Sequence, residues 1–234
     1  MKVVLFDIDG TLLWTNGAGR RAMEAALASH FGTPGSPTYR YDGKTDAQIV
    51  RETMRESGFS DDHISAALPS VLAEYVDRLE HELDDAADNP RVQRFHGVLE
   101  LLDELDRHAE RTVGLLTGNL LAGAERKLRA AGIAPERFMV GAFGSDHEDR
   151  HALPAIALKR ARDLLGHPVA GEQLVIIGDT PNDLACGRAV GARAIGVATG
   201  HYSVEQLAAH QPPASAVFAD LRNTAALLRA IADA

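Results

Sequence analysis

Five short, continuously apolar runs recur along the chain: KVVLF (2–6), TVGLL (112–116), FMVGA (138–142), LVIIG (174–178) and AIGVA (194–198). Runs this short fit strands covered on both faces, the environment of a parallel sheet. A weaker run, SAVFA, occupies 215–219. Between most of them lie amphipathic stretches at about 97–108, 120–131, 154–165, 181–190, 203–210 and 223–232, each of crossover length. Gly132 and Gly166 each follow the last apolar residues of such a stretch, as glycines beyond a helix C-terminus do. Ser203 precedes another, with Gln206 as the candidate N3 partner of a capping box. The fold class that follows is α/β with a parallel sheet.

The interval from 14 to about 90 breaks this rhythm. It reads as helices at about 17–31, 45–57 and 61–84, with no strand of the parallel-sheet kind. Leu68, Leu72, Val76, Leu79 and Leu83 supply the apolar spacing of the third. An insertion of that length after the first strand predicts a small helical cap over the active face. The expected division is a core of 1–14 and 91–234 and a cap of 15–90, with DAADNPR (85–91) as the exit linker.

Charge narrows the partners. The formal net charge is -9 and no run of lysine and arginine offsets it, which argues against a nucleic-acid surface. Cys186 is the single cysteine, so no intramolecular disulfide forms and a reducing, cytoplasmic setting is expected. Acids interrupt the first apolar run after Phe6, and neither a secretory leader nor a membrane span is expected. The exposed face of the cap is the surface on which a homodimer would form, although no residue pattern establishes one.

Chemistry concentrates where the apolar runs end. DIDGT (7–11) closes the first, and Asp7 and Asp9, two residues apart in extended backbone, point to the same side. Gly10 lets the chain turn and Thr11 can hydrogen-bond within that turn. Such paired acids can hold a hard cation, act as a nucleophile, or divide nucleophilic and acid/base work. GDTPND (178–183) closes the fourth run with Asp179, followed by Asp183 early in a helix, where it also suits the dipole. Acids converging at strand ends repel one another, and Mg2+ with oxygen ligands resolves that conflict. LLTGN (115–119) ends the second run with Thr117, whose hydroxyl can cap a helix or, with nearby N–H groups, receive a phosphate oxygen.

DIDGT, LLTGN and GDTPND, in this order, resemble the motifs of the haloacid dehalogenase-like hydrolase superfamily, above all its phosphoglycolate-phosphatase-like members with a helical cap. The resemblance implies a Rossmann-like core and a small-molecule phosphate ester as substrate. It implies Asp7 as the nucleophile that forms an aspartyl-phosphate and Asp9 as general acid, then base. Mg2+ would sit on Asp7, the backbone carbonyl of Asp9 and Asp179, with Asp183 helping directly or through water. Thr117 would hold phosphoryl oxygens, assisted by backbone at Gly118 and Asn119.

The family's lysine, often within a KPxP phrase, is absent. EDRHALP (148–154) puts Arg150 at that place, an arginine that stays charged and forks onto phosphate oxygens. Lys159, further into the next helix, is its rival. Lys127 also falls inside a helix rather than at the expected mouth. Asp146, Glu148 and Asp149 either buffer Arg150 or solvate the loop, and His147 and His151 read as loop residues. In the cap, YRYDGKTD (39–46) presents Lys44, Thr45 and Asp46, either over the pocket or as a helix cap beside a solvated lysine. Trp14 and Asn16 are expected at the hinge or the pocket floor, and His201 either nears substrate or faces water. A dehalogenase needs no metal ligands, so Asp9, Asp179 and Asp183 argue against it. A phosphomutase and a noncatalytic binding member are the remaining alternatives.

Overall fold

The protein is described by a computed structural model that covers residues 1–84 and 92–234. The predicted exit linker, 85–91, lies outside the described residues. Six strands form one parallel sheet: β1 (Lys2–Phe6), β4 (Arg111–Leu116), β5 (Val140–Ala142), β6 (Leu174–Gly178), β7 (Arg193–Val197) and β8 (Ala216–Phe218). Their order is β5-β4-β1-β6-β7-β8. The first strand is therefore central, and the chain departs from it in opposite directions along the sheet. In doubly wound sheets ligands bind at such a switch point, beyond the carboxyl ends of the strands.

The apolar runs are continuous because both faces of the sheet are buried. Val4 and Phe6 join one core cluster with Leu101, Val113 and Ile177, while Val3 and Leu5 join the other with Leu116, Leu158 and Ile176. The flanking helices are α4 (Val98–Asp106), α5 (Leu121–Ala130), α6 (Leu153–Leu165), α7 (Pro181–Cys186), α8 (Val204–Ala208) and α9 (Thr224–Asp233). Past Gly187 the expected helix at 181–190 tightens into a 3₁₀ turn, and the strand expected at 138–142 begins only at Val140. At α8 the Ser203 hydroxyl accepts from the Gln206 N–H and the Gln206 side chain accepts from the Ser203 N–H, a complete capping box.

The inserted cap is helical. Helices α1 (Ala18–Phe31), α2 (Asp46–Glu56) and α3 (Asp61–Asp84) enclose their own core of Met23, Leu27, Val50, Met54, Tyr75 and Leu79. The buried stripe of α3 is Ile64, Val71, Tyr75, Leu79 and Leu83, with Leu68, Leu72 and Val76 half-buried at its edge. The expected stripe was thus turned by part of a helical step, and it left out Tyr75.

An antiparallel ribbon of two-residue strands, β2 (Leu13–Trp14) and β3 (Gln93–Arg94), joins the chain where it leaves and re-enters the core. Strands that short carry no readable period, so pattern alone does not reveal them.

Candidate active site

Parallel register sets the site. Phe6 is level with Leu115 on one side and Ile177 on the other, so Asp7, Thr117 and Asp179 emerge together from β1, β4 and β6. The Asp7 N–H donates to the Ile177 carbonyl at 3.0 Å, which fixes its backbone in the ladder. Gly10 adopts φ +83°, and a Cβ there would overlap the Asp179 carboxylate. A side chain at residue 10 would thus cost both backbone strain and a clash. Thr11 Oγ1 donates to Asp179 Oδ1 at 3.0 Å.

Asp7, Asp179 and Asp183 are all buried, and each offers a carboxylate oxygen within 4.8 Å of the others. Burial pushes the Asp7 carboxyl up to about 6; Asp183 and Asp9 add to the rise, while Arg150 and Thr117 hold it down. Burial, with Asp183 and Asp7 nearby, also raises Asp179 well above the usual carboxylate range. Three acids face one cation here, an excess of negative charge that a low-dielectric site tolerates only with a further positive group. The donors are all oxygen, and the set therefore fits a hard divalent cation such as Mg2+.

Arg150 is buried within this cluster, its Nη2 3.2 Å from Asp7 Oδ1 and in direct contact with Asp183 Oδ1. Burial opposes its charge, but Asp183 and Asp7 outweigh burial and raise its pKa further. Its Nε has no hydrogen-bond partner. Lys159 lies at the surface, paired with Asp163 at 2.9 Å. The neighbouring loop acids do not buffer Arg150. Asp146 binds Arg160, Glu148 binds Arg51, and Asp149 caps the turn of His151. His147 Nδ1 accepts from the Asp149 N–H within the loop, and the His151 side chain is exposed.

Asp183 has two structural tasks as well. Its Oδ2 accepts from Thr180 N at 2.9 Å and Thr180 Oγ1 at 2.7 Å, closing the capping box of α7. With Oδ1 on Arg150, both oxygens have protein partners, which leaves Asp7 and Asp179 as the freer side-chain ligands.

Asp9 stands in a different setting. Lys127 Nζ lies 2.7 Å from its Oδ2 and 2.9 Å from its Oδ1, and Asn119 Nδ2 donates to Oδ2 at 2.8 Å. Lys127, set aside from its place inside a helix, reaches the site from that helix. Its signal was legible: it shares the buried face of α5 with Gly123, Ala124 and Leu128. Tyr75, in the cap, is another cavity residue that sequence reasoning missed.

The Thr117 hydroxyl accepts from Asn119 Nδ2 at 2.8 Å, and its N–H continues the sheet to the Ala142 carbonyl. The Gly118 carbonyl accepts from the Asp46 N–H at 2.9 Å, and the Asp46 carboxylate accepts from the Leu120 N–H at 2.8 Å. Thr45 caps α2 through the Gln48 N–H and donates to the Glu148 carbonyl at 2.6 Å, and Asn182 donates to the Gly43 carbonyl. The start of α2 is thus sewn onto the core. Burial pushes Asp46 up to about 6, partly opposed by Lys127 and the Leu120 N–H.

Cap and core enclose a cavity of about 670 Å³ whose lining includes Asp7, Asp9, Thr117, Lys127 and Arg150. Trp14 lines it and meets the His201 ring edge-on, with centroids 5.0 Å apart. Asn16 does not line it; that residue is exposed at φ 49°, where the chain turns into α1. Lys44 lines the cavity but gives its ammonium to Glu52 at 2.6 Å and to the Tyr39 hydroxyl.

A parallel sheet with a helical insertion and buried acids at its carboxyl edge defines a class of hydrolase, and comparison identifies it. A family model of haloacid dehalogenase-like hydrolases matches residues 4–188, and the chain belongs to that family. It is 30% identical over 212 residues to a phosphoglycolate phosphatase of Rhodospirillum rubrum, covering 88% of this chain and 83% of that protein. A hydrolase from Pseudomonas syringae shares the fold with TM-score 0.70 and 21% identity, covering 98% of each chain. CbbY from Rhodobacter sphaeroides, solved in complex with phosphate, does so with TM-score 0.65 and 20% identity, covering 95% of this chain and 96% of its own. The chain is thus a hydrolase of this family, with clustered aspartates at the carboxyl edge of its sheet.

Proposed function

We propose that the protein is a Mg2+-dependent phosphomonoesterase that acts on a small phosphorylated metabolite through an aspartyl-phosphate on Asp7. The observation that carries this reading is the buried acid cluster around Asp7 with Arg150 in its midst. Asp7 attacks phosphorus, the ester P–O bond breaks, and its electron pair leaves with the alcohol oxygen, which takes a proton from Asp9. Water then attacks the phosphorus of the aspartyl-phosphate while Asp9, now a carboxylate, removes its proton; the Asp7 O–P bond breaks, its electron pair returns to the Asp7 carboxylate, and inorganic phosphate leaves. Thr117, the backbone at Gly118 and Asn119, and the free donors of Arg150 hold the phosphoryl oxygens. Asp7, the Asp9 carbonyl and Asp179, with Asp183 behind them, would hold Mg2+, which would supply the charge that lets an anionic ester approach a carboxylate.

The reading places the cap at 15–90, the core at 1–14 and 91–234, and the enzyme in the cytoplasm. Phosphoglycolate, the substrate named for the Rhodospirillum relative, is one candidate. The cavity favours an ester with a neutral leaving group. Of the cations that line it, Arg20 pairs with Glu24, Arg40 with Asp42, Lys44 with Glu52, Lys127 with Asp9 and Arg150 with Asp7. A second anion on the substrate would have to break one of these pairs. The volume, with Trp14, Tyr39 and Tyr41 on the walls, has room for a sugar or a nucleoside.

A panel of phosphomonoesters assayed for phosphate release with Mg2+ and with chelator tests this. Mg2+-dependent release, faster from sugar phosphates or nucleotides than from phosphoglycolate, is expected. No release from any ester would end the phosphatase reading. Transfer of the phosphoryl group to a second sugar position without free phosphate would select the phosphomutase, which shares the nucleophile.

A further inference from the structure

Lys127 has the geometry of a residue that acts through another. Its side chain is 4% exposed, in the last turn of α5, whereas that of Asp9 is 35% exposed and lines the cavity. Burying an ammonium is costly unless charge and hydrogen bonds compensate. Here the compensation is complete. Nζ lies 2.7 Å and 2.9 Å from the two oxygens of Asp9 and 2.6 Å from Asn119 Oδ1. An ammonium has three N–H donors. All of them are engaged, so none remains for a phosphoryl oxygen.

The lock extends past this pair. Asn119 accepts from Lys127 through Oδ1 and donates through Nδ2 to both Asp9 Oδ2 and Thr117 Oγ1 at 2.8 Å. One amide thereby ties the acid/base carboxylate to the threonine at the end of β4. The cap contributes the space: a Cβ at Gly19 of α1 would come within 3.4 Å of Nζ. A larger residue at 19 would press on the ammonium.

We infer that Lys127 is a positioning residue for Asp9, fixing both of its oxygens so that the exposed edge meets the leaving oxygen of the ester. Lys127 itself touches neither phosphate nor leaving group. Arg150, across the site on Asp7 and Asp183, belongs to the phosphoryl side; Lys127 belongs to the proton-transfer side. This rests on the phosphatase reading above, because Asp9 has a proton to move only in that reaction.

A double-mutant cycle in the full-length protein with Mg2+ and p-nitrophenyl phosphate tests the inference. Lys127→Met should lower kcat/KM by about 100-fold, mostly in kcat, the scale of acid–base catalysis by one side chain. In an Asp9→Asn background, followed at high enzyme concentration, the same change should cost less than about threefold, because the residue it positions is gone. Lys127→Arg keeps the charge without the same three-donor fit and carries the same cycle if the methionine variant does not fold. An equal loss in both backgrounds would overturn the inference and leave the phosphatase reading standing. If the wild-type protein releases no phosphate from any ester, both fall together.

Discussion

Asp7 and Asp9 are separated by one residue and share a strand end, yet they stand in opposite surroundings. Asp7 is buried among two further acids with Arg150 as its cation, and burial raises its carboxyl to about 6. Asp9 is open to the cavity on one edge and held on the other by Lys127 and Asn119. The first setting stores negative charge for a hard cation and an anionic substrate. The second fixes a carboxylate whose accessible edge can exchange a proton. Two carboxylates with two tasks are set apart by what each one faces, and each setting can be broken separately.

The largest effect is expected on the Asp7 side. Asp7→Asn keeps shape and burial but removes the nucleophile, and kcat should fall by about 10⁴-fold or more. Near-normal turnover in a folded variant would refute the assignment. Arg150→Ala should lower kcat/KM by roughly 10²- to 10³-fold. It also leaves Asp7 and Asp183 buried without their cation, so denaturant unfolding should report a loss of about 3–5 kcal/mol. Arg150→Lys should recover part of the stability and less of the activity, since a lysine lacks the planar fork whose remaining donors would reach phosphate oxygens. Equal recovery of both would weaken the phosphate-binding role given to Arg150.

A smaller effect separates the cap seam from either carboxylate. Burial raises Asp46 from 3.8 to about 6, so the folded chain holds this proton more tightly than the unfolded chain. Its contribution to stability is therefore greatest below pH 4 and is lost as pH rises through 6, by up to about 3 kcal/mol. Asp46→Asn keeps an acceptor for the Leu120 N–H and should flatten that slope between pH 4.5 and 7. An unchanged slope would show that Asp46 does not titrate in this range. The smallest change is expected for Lys44→Ala. Its pair with Glu52 is partly exposed, and the loss in stability should stay under about 1 kcal/mol.

Sequence made one side of this comparison easier to see than the other. Asp7, Thr117 and Asp179 terminate apolar runs, and a parallel register brings such ends together, so their meeting follows from pattern. Arg150 lies in the loop region after β5, and the resemblance marked its place. Lys127 is ten residues beyond Thr117, in a helix, where a lysine ordinarily faces water. Only its helical spacing with Gly123, Ala124 and Leu128 betrayed a buried face, and small residues there form a weak apolar signal. Asp46 was named from its turn, but its bond to the Leu120 N–H crosses from cap to core, and no local period encodes such a seam. Tyr75 was missed because the expected stripe of α3 was turned away from it. The two-residue ribbon of Leu13–Trp14 with Gln93–Arg94 was missed for want of length.

The central claim is a covalent bond to Asp7. Protein quenched in acid during turnover of the best ester, digested and read by mass spectrometry, should carry a phosphoryl group on the peptide containing Asp7. The Asp7→Asn variant should carry none. Phosphorylation at another residue, or hydrolysis with no phosphorylated Asp7 under conditions that trap acyl phosphates, would contradict the account.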